Sequence, residues 1–84
     1  MEAQEIQAKL LALLTRIAPD VDPSSVVADQ DFRDQFDFDS MDALHFAVAV
    51  SETFGMPIAD TEAGKLASLR SAVAFVQDRL AHPA

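Results

Sequence analysis

The residues that could do chemistry in this chain are few and concentrated. Eight aspartates stand between positions 20 and 42, namely Asp20, Asp22, Asp29, Asp31, Asp34, Asp37, Asp39 and Asp42, with Arg33 as the lone basic residue among them. One serine, Ser40, closes the acidic stretch and precedes a run that is largely apolar as far as Val50. A nucleophilic serine needs a base within hydrogen-bond reach. His45 lies five residues on, about 140° around a helix from Ser40. His82 is expected in a frayed tail beyond the last helix, and no Gly-x-Ser-x-Gly elbow is present. No catalytic residue is therefore expected. A calcium loop wants acids at alternate positions, a central glycine and a closing glutamate. A register begun at Asp29 meets Arg33 and ends on Ser40, so no specific metal site is expected either. Weak, diffuse association with divalent cations is expected as relief of repulsion between carboxylates. His45 has no co-ligands, and Arg33 reads as a local ion-pair partner of small energetic weight. Ser40, taken alone, reads as a residue at a helix start.

The remaining composition narrows the classes. Eighty-four residues, half of them hydrophobic, suit one small domain over 1–84 with a single core. A formal net charge of -8 argues against nucleic acid and for partners with basic patches. Glu2 and Glu5 stand where a signal peptide would be positive, and the charge-free run Ala43 to Ser51 is too short to span a bilayer. A cytoplasmic monomer with no membrane span is expected. The absence of cysteine excludes disulfides and thiolate chemistry, so any sulfur chemistry needs a borrowed thiol.

Helices must position these residues. Ile6, Leu10, Leu13, Leu14 and Ile17 recur at three- and four-residue steps, predicting a helix over about 2–17 that Pro19 stops. From Asp20 to Asp39 no period holds, and the segment reads as a long ordered loop tied to the core by Val21, Val26, Val27, Phe32 and Phe36. A second helix over about 40–54 has Asp39 as its cap, Asp42 in its first turn and Gly55 as its stop. Its apolar residues fall on nearly every face, so it is either buried or shown to a partner. Asp60 can cap a short helix over about 60–66, and Ser68 a last one over about 68–81 carrying Leu69, Val73, Val76 and Leu80. The fold class is all-α, a small antiparallel four-helix bundle of three longer helices and one short one, with a long first loop.

With these elements in place, Asp39-Ser40-Met41 followed by Asp42 resembles the Asp-Ser-Leu motif of acyl carrier proteins. Phe32 and Phe36 match apolar positions before the motif, Phe54 closes the next helix, and Ile58 to Leu69 is similar to the linker and short helix of that family. The likeness runs from Glu2 to Leu80. It implies a 4'-phosphopantetheine arm, joined to Ser40 by a phosphopantetheinyl transferase and ending in the thiol that the chain lacks. Acyl groups would ride on it as thioesters, for fatty-acid, polyketide or related specialised lipid biosynthesis. Small residues Ala43, Ala47 and Ala49 could leave room to shelter the acyl chain. The resemblance also implies that Asp37, Asp39, Met41 and Asp42 meet partner enzymes that transfer or condense acyl groups. Asp37 and Phe38 replace a glycine and a smaller residue, Met41 replaces leucine, His45 an acid, and Pro57-Ile58 reverses the usual order. These departures suggest dedicated partners. A peptidyl or aminoacyl carrier and an unmodified acidic interaction module remain open alternatives.

Overall fold

The computed structural model describes residues 1–82. Helix α1 spans Ala3–Ile17 and buries the stripe Ile6, Leu10, Leu13 and Leu14. Glu5 in its first turn and Arg16 in its last complement the helix dipole. Helix α3 spans Ser40–Phe54 and α4 spans Leu69–Ala81. A 3₁₀ helix over Asp60–Leu66 joins them. Helix α1 packs on both α3 and α4, and the 3₁₀ helix bridges α3 and α4. The result is a small helical bundle, and no strand forms among the described residues beyond one isolated bridge between Asp31 and Ser68.

The long connection is ordered, and it contains an element that periodicity does not reveal. A four-residue helix α2, Phe32–Gln35, is capped by Asp31, whose carboxylate accepts the Arg33 N–H at 2.8 Å. Gln35 holds the loop together: its amide donates to the carbonyls of Val27 and Gln30 at 2.8 and 2.9 Å and accepts the Val27 N–H at 2.7 Å. Two backbone bonds then fasten the loop to the start of α4, from Phe32 N–H to the Ala67 carbonyl just before the helix and from Arg70 N–H in its first turn to the Ala28 carbonyl, each 2.8 Å. Phe32 is buried, and Val21, Val26 and Phe36 pack against the core. Val27 is instead exposed, and its tie to the fold runs through its backbone rather than its side chain. Phe32, Phe36, Phe38 and Phe46 form an aromatic cluster with edge-on pairs, Phe32 to Phe46 at 5.7 Å and Phe36 to Phe38 at 5.8 Å between centroids.

Two further expectations are corrected. Asp60 is the first residue of the 3₁₀ helix and not its cap. The start is fixed instead by Glu62, which reaches back to accept the Ala59 N–H at 3.0 Å. In α4 the buried face is Leu69, Ala72, Phe75 and Val76, while Leu80 is 38% exposed. The bundle needs only the first two turns of α4 at its core, so the stripe beyond Val76 drifts to the surface.

Candidate functional site at the start of helix α3

The first turn of α3 is built by a reciprocal pair of hydrogen bonds. Asp39 accepts the Asp42 N–H at 2.9 Å, and Asp42 accepts the Asp39 N–H at 3.2 Å. Each carboxylate so satisfies a backbone donor that would otherwise be unpaired, and both lie where the helix dipole favours negative charge. Asp39 holds the extended backbone of a cap, so Ser40 is the first helical residue. Its side chain is exposed and its hydroxyl makes no hydrogen bond to any described residue. A hydroxyl so placed is accessible from solvent. His45 is exposed on the same helix and makes no bond to Ser40.

Ser40 opens onto a groove of about 410 Å³ between α3 and the 3₁₀ helix. Ala43, Leu44, Ala47 and Val48 form one wall, and Ile58 with Ala63 the other. A second groove of about 380 Å³ lies against Phe38, Phe46 and Leu66. The two share Arg33, Ala43 and Ala63 in their linings. The small side chains at 43 and 47 and at 63 leave the space, because larger ones would fill it. Ala49 does not belong to this set: it lies beside Arg16 and Thr53, on another side of α3.

The apolar second long helix resolves into two faces. Phe46 and Val50 are buried in the core. Met41, Leu44 and Val48 are 56%, 53% and 49% exposed and form a stripe at helical spacing beside Ser40. Leu44 and Val48 were not singled out by sequence reasoning; their three- and four-residue steps from Met41 are the signal that could have found them. Asp37 is exposed and, with Asp42, lines a hollow beside Ile17 to Val21 rather than the groove beside Ser40, whereas Asp39 and Asp42 also serve the cap. Arg33 contradicts its expected role, since its guanidinium makes no ion pair among the described residues. No cluster of three or more His, Cys, Asp or Glu side chains is arranged to hold a metal ion among the described residues. No helix among them is long and apolar enough to cross a membrane.

Comparison with known proteins supplies the family. A family model described as a phosphopantetheine attachment site matches residues 8–76. The chain is 32% identical over 78 residues to an acyl carrier protein of Thermosynechococcus vestitus, covering 89% of this chain and 96% of that one. It is 34% identical over 76 residues to an acyl carrier protein of Rubrobacter xylanophilus, covering 90% and 93%. It is also 32% identical over 76 residues to the mitochondrial acyl carrier protein 2 of Arabidopsis thaliana, covering 90% of this chain and 60% of that one. The motif at the head of α3, the helical bundle around it and these matches agree, and the chain belongs to the acyl carrier protein family, functioning as an acyl carrier with a covalently attached 4'-phosphopantetheine.

Proposed function

We propose that the Ser40 hydroxyl is the attachment point of the arm and that the chain itself makes and breaks no substrate bonds. The observation that carries this reading is the exposed, unbonded Ser40 hydroxyl at the first turn of α3, beside an apolar groove. Helix N-termini suit a covalently attached phosphate, because the leading N–H groups lack intrahelical acceptors. The arm supplies a thiol, which this cysteine-free chain needs if it is to hold an acyl group as a thioester. Ala43, Ala47 and Ala63 would let the groove shelter the acyl chain from water.

The exposed stripe Met41, Leu44 and Val48, together with the carboxylates Asp37, Asp39 and Asp42 at the head of the same helix, suits partners that combine an apolar pit with basic residues. The phosphopantetheinyl transferase and enzymes that transfer or condense acyl groups are the partners proposed. His45, exposed on the same helix where the family often has an acid, favours partners dedicated to this carrier.

Intact mass after incubation with coenzyme A and a broad-specificity transferase tests the assignment. One added phosphopantetheine is expected on the wild-type chain and none on Ser40→Ala. An equal gain in the variant would move the attachment elsewhere, and no gain with several transferases would favour an unmodified interaction module.

A further inference from the structure

We propose that Arg33 is a selectivity residue of this carrier, donating hydrogen bonds to oxygen acceptors on the acyl chain and favouring oxygenated cargo over plain alkyl cargo. The inference rests on the reading of Ser40 as the arm's anchor. Arg33 is the lone cation within an acidic stretch, in a chain with only six basic residues. Despite that setting, its guanidinium forms neither an ion pair nor a hydrogen bond with the described residues. Arg79 offers the contrast, being bound to Glu62 and to the Pro57 carbonyl.

Position gives the free guanidinium its role. Arg33 lines both grooves, and the other residues common to them, Ala43 and Ala63, present only methyl groups. Arg33 is solvent-exposed, and cargo anchored at Ser40 and laid along either groove can therefore reach it. The Arg33 backbone is fixed by the Asp31 carboxylate, which also lines the second groove. Glu52 and Asp60 line the first groove and can only accept hydrogen bonds when ionised, so among the described residues that line the two grooves Arg33 is the one cationic donor. An alkyl chain laid against it displaces water and returns no hydrogen bond, whereas a ketone, hydroxyl or carboxylate returns one.

The arm's phosphodiester offers the same acceptor chemistry, so the experiment separates the two sources. The Arg33 Nε–H signal is followed by NMR in the chain before loading, with the arm alone, and with octanoyl, 3-oxo-octanoyl and 7-carboxyheptanoyl cargo. Thioester hydrolysis is measured in parallel, each rate divided by that of the same thioester on free pantetheine. The expected result is a signal that moves with the oxygenated cargoes and stays with octanoyl. Oxygenated cargo should also be protected about threefold more than octanoyl. Arg33→Leu should erase that difference and Arg33→Lys should keep part of it, both variants being checked for an unchanged amide spectrum elsewhere. A difference that survives Arg33→Leu overturns the proposal. So does a signal that moves fully on attachment of the arm alone, which would make the phosphodiester its ligand. A chain that takes no arm defeats the Ser40 reading; a loaded chain blind to oxygen on the cargo defeats this inference alone.

Discussion

Residue 38 illustrates how one side chain serves both stability and capacity. The Phe38 ring is buried against Phe32 at 5.5 Å and Phe46 at 6.4 Å while lining the second groove. Phe38→Ala should cost about 3 kcal/mol in urea unfolding, as large-to-small core changes do. A cost under about 1 kcal/mol would mean the neighbouring rings collapse to fill the space. Residues whose roles depend on near neighbours in sequence were legible: Asp39 as cap, Asp42 in the first turn and Ser40 at the helix start all follow from local pattern, while the bond Asp42 returns to the Asp39 N–H is added by the structure. Arg33 and Gln35 were not. The expected ion pair of Arg33 depends on where loop carboxylates point in three dimensions, and Gln35 bonds residues five and eight positions away.

At the scale of the element, long helices announced themselves by period and punctuation. Gly55 adopts the left-handed conformation that ends α3, at φ 64° and ψ 39°, and the Met56 N–H returns to the Ser51 carbonyl at 3.1 Å. Helix α2 escaped notice because four residues carry no period. The 3₁₀ helix is held by a contact no local pattern encodes: Arg79 of α4 pairs with Glu62, donates to the Pro57 carbonyl at 2.9 Å and lies 4.9 Å from the Phe75 ring centroid. The Ala59 N–H bond foremost, and then Arg79, lower the Glu62 pKa below its ordinary value. A lowered folded pKa stabilises the fold at pH above the unfolded value and loses that effect as pH falls through the folded one. Glu62→Gln should therefore melt lower than wild type at pH 7, and the gap should close below about pH 4. A gap of constant size across that range would mean that the charge of Glu62 contributes nothing.

Taken whole, the molecule carries much like charge around a small core. Its core could be read in outline from α1, whose stripe is buried, but less well from α4, where Phe75 and Ala72 are buried and Leu80 is not. The grooves were legible only as small residues; which of Ala43, Ala47 and Ala49 face the cavity depends on where the 3₁₀ helix lies. With a net charge of -8 and no assembled metal cluster among the described residues, divalent cations should act by diffuse screening. Added Mg²⁺ or Ca²⁺ is expected to raise the Tm gradually and without a saturating stoichiometry. A flat titration would show that repulsion among the carboxylates does not limit stability.

The 3₁₀ helix is fastened twice, by Arg79 near its beginning and, just past its end, by the Phe32 bond to Ala67. Two fastenings of this kind oppose movement of that wall away from α3. If the groove shelters the acyl chain as proposed, tails longer than its roughly 410 Å³ can hold are expected to trail into solvent.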